Sequence, residues 1–185
     1  MTVRNNDFMR YARIPVLVGI ALGMLSAPSG VTASTVVLME LDALVAESDS
    51  IVHGIVEHVE SRWEDSYVFT YVTVRIDDPL KGDRSRTLTI RQVGGSVGDR
   101  DVFISGMPRF EPGMGLILFL TDSQNGTFHV TGMNQGSYVI SQDYAISNIS
   151  GVDLLSPKSG IVSSASVVKR VEVEQFKARI RELVQ

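Results

Sequence analysis

Three histidines, His53, His58 and His129, are the side chains best suited to bind a metal ion or to transfer a proton near neutral pH. His53 and His58 are five residues apart in a segment with strand character, so a regular strand would place them on opposite faces. A zinc site needs three or four ligands at suitable spacing, and the chain has no cysteine to provide a thiolate. We therefore expect no metal site and no bound cofactor.

We expect neither the acidic residues nor the serines to form a catalytic or calcium-binding site. Acidic residues cluster within 40–49 and at Asp77 and Asp78, but no Asp-x-Asp-x-Asp-Gly calcium loop is present, and aspartates are common beside turns. The serines have only three histidines as potential bases. The sequence therefore predicts no catalytic residue and a protein that is not an enzyme. A hydrolase that uses scattered carboxylates is the minor alternative.

The main candidates for ligand binding lie around a glycine-rich segment, Gly94–Asp99. It is not followed by Gly-Lys-Ser/Thr and opens no predicted helix, so we interpret it as a flexible connection rather than a phosphate-binding loop. The candidates around it are Arg91, Gln92, Arg100, Arg109 and Phe110. A basic, aromatic rim on an acidic protein would suit an acidic partner or a polysaccharide. The alternative is that these arginines are solvated or pair with nearby acids.

The N-terminus has the features of a secretory signal peptide. Three arginines within residues 1–13 precede an apolar run, Ile14–Leu25, and small residues lead to Ala33. The run is shorter than the roughly 20 residues that a membrane-spanning helix needs. Cleavage between Ala33 and Ser34 is therefore favoured over retention as an anchor. We expect a secreted or periplasmic protein with no stable membrane span after cleavage.

Composition limits the partners and the means of stabilisation. The formal net charge is −4, and removal of residues 1–33 would take away three arginines but only one acid. Nucleic acid is an unsuitable partner, because binding to it depends on Lys and Arg neutralising phosphates. An extracytoplasmic protein or a glycan is a better match. Without cysteines the domain has no disulfide, so its hydrophobic core must stabilise it.

Hydrophobic periodicity predicts strands over most of the chain. Ile51–Asp83 contains two alternating arms separated by a polar break at Glu64–Ser66, which indicates a long hairpin. Gly115–Leu120 is apolar without alternation, as is typical of a strand covered on both faces. Asn125-Gly126 after it is a strong hairpin turn. Other strands are predicted at 86–93, 128–130 and 136–141, and helices within 36–48 and 171–184.

These elements favour a mainly β protein. The expected architecture is a small closed barrel of five or six strands, of the OB type, with a short leader helix and a C-terminal helix. A two-sheet sandwich is the alternative. The expected organisation is a signal peptide at 1–33, a barrel domain with its leader helix at 34–141, a Ser/Gly-rich connection at 142–169 and a C-terminal helix at 170–185.

Several short motifs follow one another in a characteristic order. Ser48–Val52 leads into His53–Val56, Leu80–Asp83 forms a turn, and Phe110–Gly113 precedes the apolar strand. This order resembles the netrin-like and TIMP-like (tissue inhibitor of metalloproteinases) OB-fold superfamily. It is most similar to uncharacterised bacterial secreted proteins with a VLKGD-type pattern. The resemblance implies an OB fold and an exported protein.

One feature of that superfamily is missing. In its animal metalloprotease inhibitors, an N-terminal cysteine chelates the protease zinc, whereas the expected mature chain here begins at Ser34 and contains no cysteine. Protease inhibition by that route is therefore not expected. The favoured function is an exported, non-enzymatic module that binds a protein or envelope component through rim loops. The alternative is a structural or accessory envelope protein whose Ser-rich segment tethers the C-terminal helix to another protein.

Overall fold

A computed structural model describes residues 35–82, 85–123, 125–150, 152–156, 160, 162–163 and 167–185, with only the backbone of 148, 162 and 163. These residues belong to one compact unit, Ala33–Gln185. The expected signal peptide and its cleavage site between Ala33 and Ser34 lie outside the described residues.

The described part is mainly β, as the sequence predicts, with two α-helices. Strands β1 to β13 are, in chain order, Thr35–Val37, Ser50–Glu64, Tyr67–Lys81, Thr87–Val93, Gly95–Val97, Arg100–Val102, Gly115–Asp122, Phe128–Val130, Ser137–Ser141, Tyr144–Ile149, Asp153–Leu155, Val162–Ser163 and Val167–Glu172. Helices α1 and α2 span Leu41–Glu47 and Val173–Val184, and a 3-10 helix spans Met133–Gly136.

Eight strands form the main sheet, in the order β13-β10-β9-β7-β2-β3-β4-β8. Strand β7 also pairs with β8, and β8 pairs in parallel with β4 at Phe128 and Ile90. The pairings β2–β3–β4–β8–β7–β2 therefore form a ring, and β9, β10 and β13 extend from it beyond β7. Two smaller sheets, β1-β11-β12 and β5-β6, complete the described strands.

The predicted long hairpin is confirmed as β2 and β3, which pair antiparallel along their length. The polar break reverses the chain at Asp65, whose φ of 53° is left-handed, a conformation that aspartate tolerates better than most residues. Val72 and Val74 are fully buried on one face of β3, while the alternate residues lie on the other face. The hydrophobic alternation of the sequence therefore fixes which face of the hairpin covers the core.

Strand β7 is buried on both faces, which confirms the interpretation of its unbroken apolar run. Leu116, Leu118 and Leu120 pack with the valines of β2 and β3 in one cluster, called the inner core below. Ile117 and Phe119 point to the opposite side and belong to a second cluster with both helices, called the outer core. One strand thus supplies side chains to two hydrophobic cores.

The second cluster attaches the helices to the sheet. Phe119, Tyr138 and Phe176 contact one another, with ring centroids 4.6, 6.0 and 6.2 Å apart. The Glu172 side chain caps α2 by accepting hydrogen bonds from the backbone amides of residues 174 and 175. The predicted C-terminal helix is confirmed, with its start at Val173 rather than 171 because the preceding residues belong to β13.

The interpretation of 142–169 as a long connection is wrong where β10 and the first half of β13 lie, because both are strands of the main sheet. The buried side chains of β10 include Ala145 and Ser147, which are too small or too polar to give a readable hydrophobic alternation. The leader helix is shorter than predicted, since 35–37 pair with β11 as strand β1. The glycine-rich connection also contains a strand, β5, which pairs with β6 as a small hairpin.

Candidate functional site

The connection between β6 and β7 separates two grooves. Its residues 103–109, called the ridge below, lie between a first groove of about 390 Å³ and a second groove of about 410 Å³. Phe103, Met107, Pro108 and Arg109 line both grooves. Ligand sites in proteins commonly measure about 300–1,000 Å³. The two grooves are therefore large enough, separately or together, to hold a ligand.

The first groove lies where β2, β3 and β4 meet the β5–β6 hairpin. The Ser61 and Thr70 hydroxyls, which line it, are hydrogen-bonded at 2.8 Å, and Thr70 donates to the Gly94 carbonyl at 2.6 Å. A Cβ at Gly95 would overlap both hydroxyl oxygens, and φ at this residue is +130°. Glycine is required there, and it lets the hairpin lie directly on β2 and β3.

The second groove lies on the face of β9 and β10 that does not carry the helices. Val139 and Ile146 are directly opposed in the sheet and both line the groove. Ser137 and Ser141, two residues to either side of Val139, line it as well. Among the described residues that line this groove, Arg109 is the only charged one.

Arg109 and Phe103 form the centre of the ridge. The Arg109 guanidinium lies 4.7 Å from the centroid of the Phe103 ring, and Phe103 is 62 % exposed. Within the described part of the chain, no carboxylate lies within 4.0 Å of the Arg109 guanidinium. An exposed aromatic ring and a cation without a counterion therefore meet where the grooves join.

Arg91 is placed differently from Arg109. Its Nη2 donates to the Glu64 carboxylate at 2.8 Å and its Nε to the Tyr71 hydroxyl at 2.9 Å, while its guanidinium lies 3.5 Å from the Phe69 ring centroid. The hydrogen bond from Tyr71, and then that from Arg91, hold the pKa of Glu64 at about 2, below its ordinary 4.5. Arg91 is thus engaged on the outer face of β4 and lines neither groove.

The remaining predicted residues divide between structural and exposed positions. Gln92 lines the first groove, and its Nε2 donates to the Pro108 carbonyl at 3.1 Å, which attaches the ridge to β4. Its Oε1 is buried, with no partner in the described part of the chain. Phe110 lines the same groove but is only 8 % exposed and packs in the inner core. Arg100 is exposed on β6 and lines neither groove.

Sequence reasoning missed Phe103. Strand β6 ends at Val102, just before Phe103, and the ring of Phe103 is exposed. The available signal in the sequence was an aromatic residue that lies shortly before Gly106 and Pro108 and six residues from Arg109. That signal is weak, because an isolated phenylalanine usually belongs to the core.

The structure contradicts the prediction that His53 and His58 lie on opposite faces of their strand. Glu57 is an extra residue at a β-bulge between Val56 and His58, and both Val56 and Val59 face the inner core. His53 and His58 therefore lie on the same outer face, not on opposite faces. Burial, and then the Lys177 ammonium, lower the pKa of His53. No group of three potential metal ligands occurs among the described residues.

Ser96 is the central residue of a Gly-x-Ser-x-Gly pattern. Gly94–Gly98 has this spacing, which is typical of a nucleophile elbow, although the sequence led us to interpret the segment as a flexible connection. In such an elbow the serine occupies a sharp turn from a strand into a helix. Here Ser96 lies in β5 and the next element is β6, so that geometry is absent. No histidine lines the first groove among the described residues.

Comparison with known proteins finds no family model and no curated protein that matches the chain. Among the helices described, none combines the length and the apolar character needed to cross a membrane.

Proposed function

We propose that this chain is an exported, non-enzymatic module whose strands close into an OB-like barrel, and that its ridge binds a protein or another envelope component. The observation that carries the proposal is the contact of Phe103 and Arg109 between the two grooves. An exposed ring above an apolar groove loses water-accessible area when a ligand covers it. An arginine with no carboxylate within 4.0 Å among the described residues can pair with an anionic group of a partner.

The barrel part of the proposal rests on strand pairing. Five strands pair in a ring, β2-β3-β4-β8-β7, and β4 and β8 form its one parallel pair. A five-stranded Greek-key barrel of the OB type needs such a return of the pairing to its first strand. In the alternative two-sheet sandwich the pairing would not return. The resemblance to netrin-like and TIMP-like proteins agrees with the barrel and with export.

The accessory alternative receives less support. It requires the C-terminal helix to be available to another protein, but Phe176 and Ile180 of α2 are buried in the core of this chain. Lys177 and Arg181 also contact Asp78 of β3, each at 2.7 Å. A partner would have to remove α2 from its own sheet or bind only its outer surface.

The test is cross-linking in the native host, with a C-terminal tag on the full chain. A partner cross-linked by the unaltered chain should be strongly reduced with Arg109→Ala and with Phe103→Ala. Arg179→Ala is the matched control, because it removes the same charge from an exposed position of α2. Equal recovery with all of these variants would show that the ridge is not the binding surface.

A further inference from the structure

The second groove has the shape and chemistry of a site for an extended peptide. Ser137, Val139 and Ser141 are alternate residues of β9, and all line the groove. Alternate residues of a strand are separated by roughly 6.6 Å. An extended peptide that lies along β9 repeats at the same distance, so its side chains on one face can meet these three positions in turn.

The floor and rim of the groove match different parts of such a peptide. Val139 and Ile146 are opposed on neighbouring strands and provide an apolar floor for one side chain. The hydroxyls of Ser137, Ser141 and Ser150 line the same groove and can donate to or accept from a peptide backbone. The groove therefore provides apolar contacts for a side chain and hydrogen-bonding groups for the polar backbone of a peptide.

Charge then restricts the peptide. Arg109 is the only charged residue among the described residues of this lining, and it has no carboxylate within 4.0 Å in the described part of the chain. The other groove contains Asp101 in addition to Arg109 and is less selective for an anion. An acidic side chain beside an apolar one would thus be complementary to the second groove.

We propose that the second groove binds an extended segment of a partner protein in which an acidic and an apolar residue stand two positions apart, so that both side chains lie on the same face. The acidic side chain pairs with Arg109, and the apolar side chain lies on Val139 and Ile146. This inference rests on the proposed binding function of the ridge and names the chemistry of its ligand.

Three synthetic pentapeptides test the charge preference: acetyl-Ala-Asp-Ala-Leu-Ala-amide, whose Asp and Leu lie on one face when the peptide is extended, and the versions with Asn or Lys in place of Asp. The purified protein is titrated with each, and amide chemical shifts are followed by NMR. The Asp peptide should shift amides of 103–109 and 137–141, and the Asn peptide should bind about two- to fivefold more weakly, the range of one exposed ion pair. Arg109→Glu should reverse the order and favour the Lys peptide.

Two groove-filling variants separate the grooves. Ser141 and Ser96 are both exposed serines, and they line the second and the first groove respectively. Ser141→Trp should abolish binding of the Asp peptide, whereas Ser96→Trp should leave it unchanged. The opposite result would assign the peptide to the first groove and overturn the inference.

The remaining outcomes are also decisive. Equal affinity for the Asp and Asn peptides, or no binding of any peptide at millimolar concentration, overturns the inference. Binding of tetragalacturonate without binding of the peptides assigns the groove to an acidic glycan instead. If the cross-linked partner still depends on Arg109 in these cases, the proposed function stands and only the peptide assignment fails.

Discussion

Glu64 accepts hydrogen bonds from three side chains on the outer face of β2, β3 and β4. The donors are the Tyr71 hydroxyl, Arg91 Nη2 at 2.8 Å and Arg62 Nε at 3.1 Å. The guanidinium of Arg62 also lies 4.0 Å from the centroid of the Tyr71 ring. Because every member of this group contacts at least one other, the ionised form of Glu64 organises the tip of β2, β3 and β4.

The stability of this tip should depend on pH. The pKa of Glu64 is about 2 in the folded chain, against an ordinary 4.5, so the folded state favours the ionised carboxylate. Its contribution is complete above pH 4.5 and is lost as the pH falls from 4.5 towards 2. We expect the fluorescence of Trp63, the only tryptophan, to report a loosening of the hairpin in this window.

Glu64→Gln provides the direct comparison for this prediction. The variant should be less stable than the unaltered chain at neutral pH, and the step in Trp63 fluorescence between pH 4.5 and 2 should disappear. Glu182→Gln on α2 is the control and should retain the step. A step of unchanged size in Glu64→Gln would assign the acid sensitivity to another group.

At the scale of elements, the position of the β5–β6 hairpin depends on Gly95. Gly95→Ala places a methyl group against the hydroxyls of Ser61 and Thr70 in an unfavourable backbone region. We expect a loss of about 2 kcal/mol in the free energy of unfolding, measured by urea denaturation. Gly98→Ala is the matched control, because φ there is +59° and nothing lies within 4 Å of the added carbon. It should cost about 1 kcal/mol.

A similar cost for both glycine variants would mean that backbone conformation alone is responsible and that the hairpin does not press on β2 and β3. A larger cost at Gly95 would support the contact. The Gly95 variant should then also alter the ridge, because Gly94 and the residues that follow lead directly into it.

The predictability of these elements follows from how each is buried. The long hairpin and β7 were predictable, because apolar alternation and an unbroken apolar run each report burial directly. Strand β10 was not predictable, since two of its buried side chains are Ala145 and Ser147, which break the apolar alternation. The bulge at Glu57 was also hidden, because an added residue leaves no compositional sign and reverses the assignment of every later side chain to a face.

The candidate site was only partly predictable for a related reason. The sequence indicates which loop is rich in glycine and arginine, and three of the residues predicted from it, Gln92, Arg109 and Phe110, line the first groove. It does not indicate which arginines find a carboxylate. Arg91 meets Glu64, which lies on another strand 27 residues away, and pairing of that kind depends on the tertiary fold.

At the scale of the whole molecule, α2 should be indispensable to the fold. Removal of residues 173–185 would expose Phe119 and Tyr138 and take Val173, Phe176 and Ile180 out of the cluster between helices and sheet. We expect the truncated chain to lose its near-UV circular dichroism and its cooperative unfolding. A double variant, Arg179→Ala with Glu182→Ala, changes only the exposed side of α2 and should fold normally.

A truncated chain that remained monomeric and cooperative would contradict this prediction. It would show that the helix is an appendage, and the accessory function would then regain support. The same experiment therefore separates the two proposed functions at the level of the fold.

The double burial of β7 also has a consequence for biosynthesis. Ser50 pairs with Leu120, and the inner and outer cores both draw on 116–120. A nascent chain that ends before Leu120 cannot complete either core, and the outer core also needs Ile180. The outer core can therefore be completed only when synthesis is almost finished. If the chain is exported, as we propose, and crosses the membrane unfolded, this delay would favour its translocation, because the outer core cannot close before α2 has been synthesised.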